Sequence, residues 1–141
     1  MGSADLVISQ VYGGGGNSGA TYKNDFIEIF NRGAAAVSVS GWSVQYASAT
    51  GSSWQVTSLS GTIQPGHYYL VKEAQGSGGT TNLPTADATG SISMSATSGK
   101  VALVRTTGAL SCSSNCLPNS NIADFVGYGS SANSFEGTGP T

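Results

Sequence analysis

The chain has 141 residues, the size of one domain with its own core, and only 9% of them are charged, against about 25% in an average soluble domain. A hydrophobic fraction of 38% with a net charge of −2 excludes intrinsic disorder, which needs low hydrophobicity and high net charge. The five cations Lys23, Arg32, Lys72, Lys100 and Arg105 form no run. That argues against a phosphate track on DNA or RNA, and no apolar stretch reaches the ~18 residues of a membrane span.

Residues 1–3 read as an appended remnant outside the fold. The domain is expected over 4–137, with 138–141 as the start of a linker. Leu6 to Tyr12 predicts the first strand, with Leu6 and Ile8 on one face and Val7 and Val11 on the other. Gly13 to Asn17 is a glycine run without the Lys-Ser/Thr ending of a phosphate loop, so it reads as a flexible or tightly turned surface loop. Phe26 to Asn31 alternates apolar residues around Glu28 and predicts a second strand. Val37 and Val39 suggest a short edge strand. Ser40-Gly41 then leads into Trp42-Ser43-Val44-Gln45-Tyr46, in which Trp42, Val44 and Tyr46 lie two apart on one face. Trp42 is therefore expected at the centre of the core.

Trp54, Val56 and Thr57 suggest another short strand. Gln64-Pro65-Gly66-His67 carries the Pro-Gly signature of a type II turn. It feeds the strand His67 to Glu73. Ala74 to Thr89 has no periodicity and reads as a long excursion of functional or mobile character. Ser91 to Met94 suggests a short return strand, Lys100 to Arg105 a clear one, and Ile122 to Tyr128 the last. No segment holds helical periodicity over three turns. The fold class is all-β, a sandwich or barrel of short strands.

Cys112 and Cys116 lie in Cys-Ser-Ser-Asn-Cys. That is not the spacing of a zinc-ribbon pair, and His67 alone cannot complete a zinc site. A local disulfide is the favoured reading, and it implies an oxidising compartment. His67 is read as a surface turn residue, because no nucleophile and base can be assembled around it. Glu28 shares a face with Phe26 and Phe30, so it is expected to be structural, with a cation such as Lys23, Arg32 or Arg105 as partner. Trp54 and Tyr68 are the candidate binding residues. Trp54 is set among Ser and Thr, although packing is the favoured role for it too. No catalytic and no metal-ligating residue is assigned. No cofactor is expected, with calcium the one cation left open.

In order along the chain, Val7 to Tyr12, Asp25-Phe26-Ile27-Glu28-Ile29-Phe30-Asn31, Ser40-Gly41-Trp42, Leu59 to Gly66, Tyr68-Tyr69-Leu70-Val71 and Asp124 to Gly129 resemble the lamin tail domain family. The likeness covers nearly the whole chain and rests on the ordered set, not on one motif. It is closest to the bacterial branch, modules of secreted multidomain proteins often found beside nuclease or phosphatase domains. The resemblance implies an immunoglobulin-like sandwich. It further implies a non-catalytic, monomeric, extracellular accessory module that positions or tethers a partner domain, with cell-surface or nucleic-acid contact. The alternative is a stand-alone ligand-binding domain for carbohydrate, calcium or DNA.

Overall fold

A computed structural model describes residues 5–136 and 139. The remnant expected over 1–3 lies outside them, as does the linker expected over 138–141 apart from residue 139. Ten strands and no helix are found among the described residues: β1 Leu6–Tyr12, β2 Asn24–Asn31, β3 Val37–Ser38, β4 Ser43–Ala47, β5 Gln55–Ser58, β6 Thr62–Ile63, β7 Tyr68–Gln75, β8 Ala88–Thr89, β9 Gly99–Val104 and β10 Ile122–Tyr128. They form a sheet of order β1-β2-β7-β8, a second of order β10-β9-β4-β5, and a small β3-β6 ribbon. All pairings are antiparallel except β7 with β8.

The interior between the two sheets follows from side-chain alternation. Leu6, Ile27, Ile29, Tyr69 and Val71 of the first sheet meet Val44, Tyr46, Val101 and Leu103 of the second. Val11 joins this cluster, which corrects its expected placement on the opposite face from Leu6. The cause is a bulge between Ile8 and Gln10. The extra residue, Ser9, changes the parity of the strand, so Val11 sits opposite Ile27 and points inward. The Ile8 N–H beside the bulge is held by the Asp124 carboxylate at 2.7 Å. That contact joins the free edge of the first sheet to the edge strand of the second, and it occupies a donor that an open edge would otherwise expose.

The second sheet is buried on both faces. β4 and β9 are buried at every position. A second apolar cluster of Ala47, Trp54, Ala102, Val104, Cys116, Ile122 and Phe125 lies on its outer side. The chain between β9 and β10 covers that cluster, and polar side chains of the sheet hold its backbone. The Ser43 hydroxyl donates to the Thr106 carbonyl (2.6 Å), and the Gln45 amide donates to the Gly108 carbonyl (2.8 Å) and accepts from the Leu110 N–H (2.9 Å). The Trp54 indole N–H donates to the Cys112 carbonyl at 2.9 Å. Cys112 and Cys116 form a disulfide within this cover.

Two segments depart from expectation. The glycine run is tightly turned, with the Asn17 N–H on the Gly14 carbonyl, but Gly15 and Gly16 are buried and not at the surface. A Cβ on Gly15 would stand 2.0 Å from the Asn24 carbonyl carbon, so only glycine allows the backbones to approach this closely. Ser91 to Met94 is no strand, yet Ile92 and Met94 are buried. The segment is fixed instead by side-chain carboxylates of the interior.

Candidate functional site

One corner of the first sheet combines rigidity with exposure. Asn31, at the end of β2, is fully buried, and its side chain organises the neighbouring turns. Its amide donates to the carbonyls of Ala35 and Ile63, both at 2.9 Å, and its oxygen accepts from the Gly33 N–H. Its backbone accepts from the Gly66 N–H and donates to the His67 carbonyl. The turn Gln64-Pro65-Gly66-His67 is closed by the His67 N–H on the Gln64 carbonyl at 3.1 Å. Gly66 has φ +77°, the left-handed position that a type II turn demands after proline. The turn is thus bound to the sheet on both sides.

Tyr68 begins β7 at the foot of that turn and is 60% exposed. Phe30 lies behind it with ring centroids 4.7 Å apart. Beside the ring runs a groove of about 410 Å³ lined by Ser60, Gly61, Thr62, Ile63, Gln64, His67, Tyr68, Tyr69 and Asp87. Its floor is fixed. The Tyr69 hydroxyl donates to the Ser60 carbonyl at 2.7 Å, and the Asp87 carboxylate accepts from the Leu70 N–H at 2.8 Å. No lysine or arginine lines the groove.

The buried ionisable groups lie elsewhere, each with structural partners. Asp25 accepts from the Gly15 N–H (2.5 Å) and the Met94 N–H (2.6 Å), tying the glycine run to the segment after β8. Burial pushes its carboxyl up, and those N–H donors pull partly back. Glu73 accepts from the Thr57 hydroxyl at 2.8 and 3.0 Å and from the Ile92 N–H at 3.2 Å. Burial is again the chief cause of its raised pKa, opposed by Thr57 and Ile92. Lys100 is fully buried. Its ammonium donates to the Gly51 carbonyl (2.8 Å), the Ser113 carbonyl (3.0 Å) and the Asn133 side-chain oxygen (2.8 Å). It also lies 5.6 Å from the centre of the Trp54 ring. Three protons meet three oxygens, and an aromatic face covers the remaining side. Burial lowers its pKa. Among the described residues no three His, Cys, Asp or Glu side chains gather to hold a metal ion. The carboxylates of Asp25 and Glu73, directed at N–H and O–H donors, do not suit calcium.

The family model described as Lamin Tail Domain matches residues 1–130. The chain belongs to the lamin tail domain family. No match was found among curated proteins. The lamin tail domain is an immunoglobulin-like, non-enzymatic domain, and the two-sheet arrangement described above is that sandwich.

Within this lamin tail domain the residues singled out by sequence are dispersed. Tyr68 is exposed at the groove, with His67 beside it. Trp54 is not an exposed contact. It is 7% exposed, lies edge-on to Phe125 at 6.0 Å and sits under Lys100. Packing, the role favoured for it from sequence, is what the structure shows, with a cover that comes from far along the chain. Trp42 is not central to the core. It precedes β4, is only partly buried against the first cluster, and has the Arg105 guanidinium 5.6 Å from its ring centre. Glu28 is half-buried, and its carboxylate accepts from the Ser9 hydroxyl at 2.9 Å. Cys112 and Cys116 are joined as expected. The Ala74 to Thr89 excursion is in part structured, since β7 extends to Gln75 and β8 pairs with it. Sequence reasoning missed Asn31, Gln45 and Lys100 as structural centres, and Gln64 and Asp87 as groove residues. Pro65-Gly66, as a turn, and Tyr68, as a candidate contact, were the available signals for the groove.

Proposed function

We propose that this lamin tail domain is a non-catalytic module of a secreted multidomain protein, which positions or tethers a partner domain. The supporting observation is the disposition of its ionisable groups. Asp25, Glu73, Lys100 and Asp124, the buried ones, each hold backbone or structural partners. His67 stands in an exposed turn. A nucleophile, a base and an oxyanion site do not come together around it. The disulfide supports an oxidising compartment, and no helix among the described residues is long and apolar enough to cross a membrane. A nuclease or phosphatase as the partner domain rests on the family resemblance alone.

The test is an assay of the purified domain for nuclease and phosphatase turnover with calcium and magnesium, beside a DNA titration at low and physiological salt. The expected result is no turnover, and weak DNA binding that collapses with salt. Turnover that disappears in His67→Ala overturns the module reading. A second reading, a ligand-binding domain, is favoured by one specific observation: the exposed Tyr68 beside a polar groove.

A further inference from the structure

We propose that the groove between the β6–β7 turn and Asp87 is a saccharide subsite, with Tyr68 as its stacking platform and Gln64, His67 and Asp87 as its polar contacts. This gives the tethering part of the module reading a ligand, and its failure leaves the positioning part standing. The volume of about 410 Å³ lies within the roughly 300–1,000 Å³ of small-molecule sites. The C–H face of a pyranose ring is flat and weakly positive, and it packs on the negative face of an aromatic ring. A sugar also needs donors and acceptors around its rim. The lining supplies both from hydroxyl, amide, imidazole and carboxylate side chains.

Preorganisation strengthens the case. Tyr68 is backed by Phe30. The turn bearing Gln64 and His67 is fastened to Asn31, and the Asp87 carboxylate is oriented by the Leu70 N–H. A ligand entering such a groove orders little that is mobile. The same lining disfavours other classes. Nucleic acid would set its phosphates against Asp87 with no lining cation to offset them. An apolar peptide would leave the polar rim without partners.

The experiment titrates the purified domain with neutral probes, namely a cello-oligosaccharide, a malto-oligosaccharide and an N-acetylglucosamine oligomer, following backbone amide shifts by NMR. A single-stranded DNA oligomer and an apolar peptide serve as comparison ligands. The expected result is binding of at least one sugar, with shifts confined to residues 60–69 and 87. Tyr68→Ala should raise Kd by about tenfold or more, and Gln64→Ala by a smaller factor, with unchanged spectra elsewhere showing that both variants fold. Absence of binding by all three sugars overturns the proposal. So does binding that maps to another face or survives Tyr68→Ala, and so does DNA or peptide occupying the groove in preference to sugar.

Discussion

The two outer faces of the sandwich are built from similar strands and end in opposite states. The outer face of the second sheet is closed by the chain between β9 and β10, which adds Trp54, Phe125 and Cys116 to the interior. On the outer face of the first sheet, register places Val7, Phe30 and Tyr68 in one row, Gln10, Glu28 and Leu70 in the next, and Tyr12, Phe26 and Lys72 in a third. The third row is packed. Tyr12 stacks on Phe26 at 5.1 Å, Tyr22 meets both edge-on, and Leu83 and Pro84 lie alongside. The first row stays open and ends in Tyr68. The difference lies in polar anchors. Ser43, Gln45, Trp54 and Lys100 project from the second sheet or its flank and satisfy a long backbone segment laid over them. At its Phe30–Tyr68 end the first sheet offers an aromatic pair, beside which the polar groove lies. One face is closed into the interior, and the other leaves an aromatic pair at the surface.

The largest effect should come from opening the closed face. Trp54→Ala removes a buried aromatic, at a cost of about 3–5 kcal/mol, a large share of the roughly 5–15 kcal/mol a domain possesses. It also strips the ring from beside Lys100. Trp42→Ala should lose clearly less, because that side chain is only partly buried. Chemical denaturation midpoints of the two variants decide the order, and equal losses would remove the distinction drawn between the two tryptophans. Next comes Lys100→Met, which fills the space but leaves the Gly51 and Ser113 carbonyls and the Asn133 oxygen without their donor. An orphaned buried polar group costs about 1–3 kcal/mol. A midpoint equal to wild type would mean that the desolvation of the ammonium already cancels its three hydrogen bonds.

This contrast explains what could be read in advance. The first and last strands, Leu6 to Tyr12 and Ile122 to Tyr128, were legible to the residue, and the sandwich with them. Composition is a local property, and both runs are rich in the aliphatic and aromatic residues that favour strands. Side-chain destinations set by distant segments were not legible. Lys100 at the start of a strand reads as solvated, and its partners Gly51, Trp54, Ser113 and Asn133 come from segments distant in sequence. Ser43 and Gln45 read as the polar side of a half-exposed strand for the same reason. Val11 was misplaced because a bulge has no compositional mark at Ser9. At the groove, Pro65-Gly66 and Tyr68 were visible as a turn and an aromatic. Asp87 arrives from the far end of an aperiodic segment and could not be paired with them by sequence.

Reducing the disulfide should loosen the closed face by a smaller amount. The Cys112–Cys116 loop is short, and the entropy model gives at most about 2 kcal/mol for such a closure. Cys112→Ser/Cys116→Ser is expected to lower the midpoint within that limit while Tyr68 and its groove keep their wild-type amide shifts. Shifts at the groove would mean that the two faces are coupled.

Acidity separates the interior from both faces. Glu73 and Asp25 have raised pKa values, chiefly from burial. The Glu136 carboxyl is pushed from 4.5 up to about 7 by burial and by the neighbouring Asp124. In each case the folded chain holds its proton at a pH where the unfolded chain has released it. For Glu136 the associated stability is complete below about 4.5 and declines as pH rises toward about 7, and for Asp25 and Glu73 it is likewise present at low pH and lost as pH rises. Thermal midpoints should therefore increase on mild acidification from pH 7 to 4.5, by a modest amount because Glu136 is partly solvent-screened. Glu73→Gln should flatten part of that slope. A midpoint that falls steadily over this range would contradict the assignment.

Tyr68→Ala is expected to have the smallest effect on stability, within about 0.5 kcal/mol, as for surface substitutions generally. The residue is 60% exposed and its ring packs against Phe30, so truncation opens no enclosed cavity. Phe30→Ala should cost more, because Phe30 is half-buried in the row between Val7 and Tyr68. The pair of variants separates support from recognition. If the open face is a recognition surface, Tyr68→Ala removes ligand contact at almost constant midpoint, whereas Phe30→Ala lowers the midpoint and weakens binding only through the lost backing of the ring. A Tyr68→Ala midpoint lowered as far as that of Trp54→Ala would mean that the ring is a structural element after all. The contrast between a closed, stabilising face and an open, available one would then fail at its central residue.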